Sequence, residues 1–459
     1  MTGNNSGGDG DVRGAVLDFM RKRDQGMPAE RRSASAGMTP PSFADLPEYR
    51  RVVAQQGAGE LLQLSNPFHR VHDGSAGPTT TVDGAELSNF ASYDYLGLNR
   101  HPTVLAAADE AIGRYGVSAS ASRLVAGERP VHEALERRLA RHYGVEAAVA
   151  FVSGYLTNVT VIAALVGPQD LIVHDELIHN SVLAGAKLSG AMRRSFRHND
   201  LGALETLLTS VSGQYRRMLV VVEGVYSMDG DVADLPRLIE LRARHGFWLM
   251  VDEAHALGVL GETGRGSFEH HRCDPRTVDI WMGTLSKATA SCGGYIAGSE
   301  ALATLVKASA GGFVFSVGLA PALAAAGLAA LEVLEREPER VRRLHQNGRR
   351  FLEAAQAAGL STGTSLGYSV IPVIVGDSIR AVQLSNELSE AGINVLPIIH
   401  PAVPEGMARL RFFITSEHSE KQIDEAVRLT TEKLKALEAR NFGIGSVDVS
   451  ALLKSLSAD

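Results

Sequence analysis

Cysteine is nearly missing from this chain: two occur in 459 residues, Cys273 and Cys292. Two thiols build no disulfide framework, and their scarcity fits a reducing cytosol, so a cytoplasmic location is expected. No glycine is followed by lysine anywhere in the sequence. That removes the G-x-x-x-x-G-K-[ST] phosphate loop, so the DEAH at 252–255 is not read as the acidic motif of an ATP-driven helicase. An excess of positive charge is missing as well. The formal net charge is −7, which gives no electrostatic reason to seek nucleic acid or an anionic membrane. The opening MTGNNSGGDGDVRG lacks the apolar core of a secretory signal. The longest largely apolar stretch, SVGLAPALAAAGLAALEVL at 316–334, is rich in Ala and Gly and broken by Pro321. It reads as a tightly packed internal helix rather than a membrane span. Metal-ligand spacing is absent too. HEALE at 132–136 is not H-E-x-x-H, and HHRC at 270–273 has no second ligand pair, so no metal site is expected.

What is present suffices for a large core. Of the residues 45% are hydrophobic, which at this length supports two or more lobes. Residues 1–45 mix Gly, Ser, Arg and Asp with few aromatics and read as disordered, with one short helix near AVLDFMRKR. The stretch is either a solubilising tail or a docking element for another protein. Residues 46–90 form an N-terminal segment. From about residue 88, AAVAFVSG, DLIVHDE, RMLVVVEGV, GFWLMVDEAH, VDIWMGTLS and GGYIAGS read as buried strands. They are short, rich in Val and Ile, and stop at polar residues or Gly. VHEALERRLARHYG and DLPRLIELRARHG between them end in Gly after basic residues, as helix C-termini do. The alternation predicts an α/β domain over 91–335 with a largely parallel sheet covered on both faces. Ligands in such sheets sit beyond the carboxyl ends of the strands. Beyond 335, EREPERVRRLHQNGRRFLEAAQAAG reads as one long charged helix. The strands YSVIPVIVG and ARLRFFIT, with two further helices, make a smaller α+β domain over 336–440, and 441–459 form a tail.

Five segments carry candidate chemistry. In DIWMGTLSKA an apolar strand delivers Thr284, Ser286 and Lys287 at its end. Lysine is rarely buried without a function or a partner, and desolvation would lower its pKa and make it a usable nucleophile or Schiff-base amine. In FWLMVDEAHALG, Asp252 ends a second strand and His255 follows three residues on. A carboxylate there suits a cation, one candidate being a protonated pyridine nitrogen. VSGYLTN at 152–158 stops a strand at Ser153–Gly154 and starts a helix, whose free N–H groups make a phosphate seat. HDELIHNSVLAGA places His179 where a neutral imidazole could lie flat on an aromatic ring, or equally where a histidine is simply hydrogen-bonded at the surface. EGVYSMDGDVADLP brings Glu223 and Ser227 after a very apolar strand. Ser227 could donate to a ring oxygen, and Asp229-Gly230-Asp231 reads as a turn.

Taken together and in order, VSGYLTN, HDELIHNSVLAGA, EGVYSMDGD, VDEAHALGVLGETGRG, GTLSKA and PEGMARLR resemble the α-oxoamine synthases over about residues 65–435. The resemblance implies the fold-type I architecture of pyridoxal-phosphate (PLP) transferases, with a mainly parallel seven-stranded sheet and a smaller C-terminal domain. It also implies a homodimer with shared active sites. The reaction implied is a decarboxylative condensation of an α-amino acid with an acyl thioester. Lys287 would hold PLP as a Schiff base and move the Cα proton, and Asp252 would pair with the pyridine nitrogen. His255 and Ser227 would lie near the ring hydroxyl, and His179 would stack on the ring face. Ser153, Gly154, Tyr155, Thr284 and Ser286 would serve the phosphate end, Glu223 would line the cofactor site, and Arg411 would bind the substrate carboxylate. Tyr93 and Ser122 would touch substrate.

Two departures from the pattern stand out. Relatives often carry an arginine where this chain reads Ile398, Ile399, His400, Pro401. They often read F-S-T where Phe315, Ser316, Val317 stand, leaving Ser316 as the phosphate contact from a second subunit. SYDYLG at 92–97 resembles the S-Y-N-Y-L-G of the serine palmitoyltransferase branch, and NPFHRVHDG…TTTVDG resembles synthases associated with polyketide assembly lines. These likenesses imply a small amino acid (glycine, alanine or serine) and an acyl group carried by coenzyme A or a carrier protein. Competing readings are an aldolase of the threonine type, an aminotransferase, or a catalytically silent partner subunit.

Overall fold

The computed structural model describes residue 40, residues 42–62 and residues 64–444. Of the stretch 1–45 expected to be disordered, residues 1–39 and 41, with the short helix near AVLDFMRKR, lie outside them, as does most of the C-terminal tail; Phe43–Asp45 form a 3₁₀ turn. The chain divides into two units, 1–58 and 59–459. In the first, Ser42 caps a 3₁₀ turn (Phe43–Asp45), and a helix α1 (Pro47–Leu61) begins directly after it.

The second unit carries three sheets. Strands β1 (His72–Asp73), β2 (Thr79–Val82) and β3 (Ala85–Asn89) form an antiparallel ribbon. The central sheet takes β4 (Ala147–Phe151), β5 (Leu171–Asp175), β6 (Met192–Phe196), β7 (Met218–Glu223), β8 (Trp248–Asp252), β9 (Ile280–Thr284) and β10 (Gly294–Gly298). Its order is β4-β10-β9-β8-β7-β5-β6, parallel except for β10, which is antiparallel to both neighbours. Six of these strands are the six read from the sequence. The seventh, β6, is an edge strand exposed at Met192, Arg193, Arg194 and Ser195, so it has no apolar run to betray it.

Helices cover the sheet: α2 (Pro102–Tyr115), α3 (Pro130–Tyr143), α4 (Gly154–Leu165), α5 (Asn180–Ser189), α6 (Leu235–His245) and α7 (Pro321–Arg336). Both expected glycine stops are present, with Gly144 closing α3 at φ 64° and Gly246 closing α6 at φ 67°, left-handed conformations that glycine enters without a Cβ clash. The alanine-rich stretch is the packed helix α7. It buries Ala324, Ala326, Ala329 and Ala330 and lets α2 and α3 approach closely.

One expectation is corrected. The charged stretch after 335 is not a single helix: α7 ends at Arg336 and α8 (Glu339–Ala357) starts beyond Pro338. Proline lacks the N–H a continuous helix would need and biases the preceding Glu337 away from helical geometry. In the smaller lobe, β11 (Val370–Gly376), β14 (Ala408–Phe413) and β13 (Leu396–Ile398) pair in that order, covered by α9 (Ser378–Glu390) and α10 (Glu420–Ala439). A two-residue strand β12 (Ile393–Asn394) leaves that lobe to pair in parallel with β3. The ribbon at 72–89 is thereby tied to the C-terminal lobe. Among the described residues no helix is long and apolar enough to cross a membrane.

Candidate active site

Parallel strands of one register deliver their last residues side by side. Glu223 ends β7 and is the register partner of Asp252, which ends β8; Met282 is in register with Asp252 on β9, and Thr284 ends that strand two residues further on. Two carboxylates on register partners of adjacent strands, backbones that lie about 4.8 Å apart in a sheet, cannot both stay charged cheaply in a buried place. Burial, then the nearby Asp252, pushes Glu223 up to about 8, so it is neutral at pH 7. Its Oε2 accepts from Ser227 N–H at 3.2 Å, while Oε1 is buried with no hydrogen-bond partner among the described residues. Asp252 Oδ1 accepts from Ala254 N–H at 3.0 Å, and Oδ2 accepts from Asn158 Nδ2 at 2.9 Å.

Lys287 follows β9 by three residues. Burial pulls it down to about 8, against the attraction of Asp252 and Glu223 and with help from the charge of Arg411. Its Nζ lies 5.5 Å from the centre of the Tyr93 ring, and no hydrogen bond holds it among the described residues. His255 is buried and kept neutral by desolvation and by the cations Lys287 and Arg411. Its Nδ1 is 2.7 Å from the hydroxyl of fully buried Tyr95. His179 caps α5; burial and the same two cations lower its pKa, and Asp252 opposes them. Its ring meets Tyr155 edge-on at 6.4 Å, and its Nδ1 is 2.7 Å from Ser181 Oγ.

The two arginines of ARLR are not equivalent. Arg409 is spent on Asp229 Oδ1 at 2.6 Å and on Met228 O. Among the described residues Arg411 uses only Nη1, toward Ser227 O at 2.9 Å and Met228 Sδ at 3.6 Å, and its Nε is buried with no partner. The Nε edge of its guanidinium is therefore unspent, and that edge fits a carboxylate with two parallel bonds.

The glycine turn after β4 is built for close approach. An added Cβ on Gly154 would stand 3.0 Å from Thr284 Cβ and Oγ1, and one on Gly294 would stand 2.4 Å from Thr157 Oγ1. Ser153 caps α4 through Leu156 N–H, leaving the N–H groups of Gly154 and Tyr155 free of helical partners. Thr284 Oγ1 donates to Gly293 O at 2.9 Å, so toward an anion its hydrogen would have to turn. Ser286 shares Gly293 as a partner at 3.4 Å.

These observations test PLP as a ligand. A lone lysine amine of lowered pKa, a fixed carboxylate, an anion seat without side chains and an unspent guanidinium edge suit an aldehyde, a pyridine nitrogen, a phosphate and a substrate carboxylate in turn. The residues fit the group.

Other expected residues stand apart. Ser122 precedes a π-turn (Arg123–Gly127) without capping it, and Ser316 Oγ donates only to Val317 O at 3.2 Å. Both lie on abutting surface segments, joined by Gly318 N–H to Ala121 O at 3.0 Å. Ile399 is half-buried against the core and His400 is exposed, so nothing cationic replaces the absent arginine there. Asp229-Gly230-Asp231 is a turn, with Gly230 at φ 72°. His270 lines a separate cleft of about 430 Å³ with His345, Arg349 and Tyr368, and among the described residues no cluster suits a metal ion. Sequence reasoning missed Tyr95 and Asn158. A buried asparagine inside the apolar helix α4 was the available signal for the second.

The aminotransferase class I and II family matches residues 85–429. The 8-amino-7-oxononanoate synthase of Symbiobacterium thermophilum is 44% identical over 76% of this chain and 89% of its own. A serine palmitoyltransferase of Sphingomonas wittichii superposes with a TM-score of 0.83 at 30% identity, over 87% of this chain and 100% of its own. A serine palmitoyltransferase solved with PLP superposes at 0.82 and 27% identity, again over 87% and 100%.

Proposed function

This chain belongs to the α-oxoamine synthases, PLP-dependent acyltransferases of the class I and II aminotransferase fold, and from that premise we propose how its own residues act. The reaction is the decarboxylative condensation of an α-amino acid with an acyl thioester, yielding an α-amino ketone and CO₂. When bound, PLP supplies an electron-accepting ring into which charge on the amino acid's Cα can spread.

Lys287 Nζ would be the attachment point for PLP, and its free amine would be the base that takes the Cα proton. A pKa near 8 suits both tasks, because an appreciable fraction of the amine is unprotonated near neutral pH. Asp252 would hold the pyridine nitrogen protonated. Neutral Glu223 lines the same strand ends without adding a second negative charge. His255, braced by Tyr95, would serve the ring hydroxyl together with Ser227, and His179 would serve the ring face. The N–H groups of Gly154 and Tyr155, with Thr284 and Ser286, would hold the phosphate. Arg411 grips the substrate carboxylate through its unspent edge, and Tyr93 closes over Lys287. The observation that carries this reading is Lys287 itself, unpaired at a strand end among Asp252, Glu223 and Arg411.

The substrate amino acid is proposed to be small: glycine, alanine or serine. The acyl group arrives on coenzyme A or on a carrier protein, the latter supported by the likeness of 66–84 to assembly-line synthases, and the protein works in the cytoplasm. A second copy completes the site through Ser122 and Ser316. Around them Val117, Leu124, Val125 and Phe315 are 78%, 62%, 81% and 88% exposed, an apolar patch that a second copy would cover. Carboxyl-labelled amino acids incubated with acyl-CoA or acyl-carrier thioesters test the proposal. Labelled CO₂ should appear only when both substrates are present; thioester-independent release, or none with any pairing, sinks it.

A further inference from the structure

Asn158 sits in the second turn of α4 among Val161, Ile162 and Leu165 and is buried with them. Its Nδ2 has two hydrogens and spends both: one on Asp252 Oδ2 at 2.9 Å, the other on Ser181 Oγ at 2.9 Å. Ser181, also buried, stands 2.7 Å from His179 Nδ1, and that nitrogen accepts from Ser181 N–H at 3.3 Å as well. A ring nitrogen that accepts a backbone hydrogen carries none of its own, so the Ser181 hydroxyl is the donor to it. The directions are then fixed throughout. Asn158 gives to Asp252 and to Ser181; Ser181 gives to His179; neutral His179 keeps its hydrogen on Nε2. The Asn158 carbonyl, Oδ1, is buried with no partner among the described residues. An unmade acceptor costs stability, and an apolar residue on this helix face would avoid that cost.

We propose that Asn158 and Ser181 are positioning residues, one amide setting both the orientation of the Asp252 carboxylate and, through Ser181, the tautomer of His179. The inference rests on the reading of Asp252 and His179 as cofactor-facing groups, and extends it to residues that touch neither substrate nor cofactor. An amide suits this place because it does not titrate. The groups around it do: Glu223, Lys287, His179 and His255 are all titratable with shifted pKa values, and Asp252 and Arg411 stand beside them. A carboxylate or imidazole at 158 would compete with them for protons.

The test uses the full-length enzyme loaded with PLP. Asn158→Asp, Asn158→Ala, Ser181→Ala and Ser181→Thr are compared with the parent for PLP dissociation constant and for the pH midpoint of the visible absorption band, with melting of the PLP-free protein as a check on folding. Asn158→Ala should weaken PLP binding about tenfold or more, the effect of one charge-assisted hydrogen bond. Asn158→Asp keeps the shape, adds a negative charge and should raise the pH midpoint. Ser181→Ala should move the midpoint and Ser181→Thr should restore it, a rescue that simple packing would not give. PLP affinity within twofold of the parent and an unmoved midpoint in Asn158→Ala and Ser181→Ala overturn the relay. Should an Asn158 variant not fold, the two Ser181 variants decide alone. If the parent shows no visible band that Lys287→Ala abolishes, the functional reading has failed instead, and the two failures are told apart.

Discussion

Two buried groups of charge lie in the same unit and are treated in opposite ways. At one, Arg123 donates to Glu128 at 2.7 and 2.8 Å and to Glu136, while Lys307 reaches the other oxygen of Glu136 at 2.8 Å and Ala150 N–H completes the set. Burial alone would discharge both Arg123 and Glu136, yet each holds the other charged. At the other, among the described residues, Lys287 makes no hydrogen bond, Glu223 is pushed toward neutrality, and Arg411 Nε, Glu223 Oε1 and Asn158 Oδ1 are left unpaired. The first arrangement is complete and has nothing left to offer a ligand. The second spends folding energy to keep donors and acceptors available, as binding sites for charged ligands do.

Breaking each cluster should have opposite consequences. Lys287→Ala should lower kcat by at least about 10³-fold, while the PLP-free protein melts no lower than the parent, since no native pair is lost; a clear drop in that melting temperature would contradict the comparison. Glu136→Ala should do the reverse. It removes the buried partner of Arg123, leaving only half-exposed Glu128, and strips Ala150 N–H and Lys307 of their acceptor, so it should cost about 3 kcal/mol of unfolding free energy in urea titrations, with kcat of the folded fraction close to normal. Arg411→Lys keeps the charge but loses the fork. The KM for the amino acid should rise about tenfold to a hundredfold, with a smaller change in kcat. If instead kcat alone falls, Arg411 is not the carboxylate anchor.

The smallest effect concerns a third group, a histidine held between two carboxylates. His198 binds Asp175 Oδ1 at 2.9 Å and Asp231 Oδ2 at 2.8 Å. Burial opposes its charge, but the two carboxylates outweigh burial and raise it to about 10 from an ordinary 6.5. A raised pKa means that the folded protein binds a proton the unfolded chain releases. The stabilisation is therefore complete below pH 6.5 and lost as pH rises toward 10. Urea midpoints from pH 6.5 to 10 should decline more steeply in the parent than in His198→Gln; parallel curves would show that the pair contributes nothing.

The strand ends were legible because LVVVE, LMVD and WMGT announce buried parallel strands and deposit one functional side chain each. Motif order then joined Lys287, Asp252 and Arg411. What stayed hidden was nonlocal or lacked contrast. MRRSF shows no apolar periodicity because it is an exposed edge. Pro338 was visible, but the helical pattern on both sides masked the break it makes. Tyr95 looks like any core tyrosine until His255, 160 residues later, is placed against its hydroxyl. Asn158 looks like a helix-start polar residue until strand and helix ends converge on it.

The parallel pairing of Ile393–Asn394 with Ser88–Asn89 has a consequence for synthesis. Some 300 residues separate the two strands, so at roughly 5–20 residues per second the ribbon leaves the ribosome about 15–60 s before its partner exists. Through that interval the central sheet can assemble while one edge of the early ribbon waits open. A nascent chain stalled short of residue 393 would thus carry a finished cofactor cradle with an unfastened clasp, a state that proteases and chaperones would meet before any substrate does.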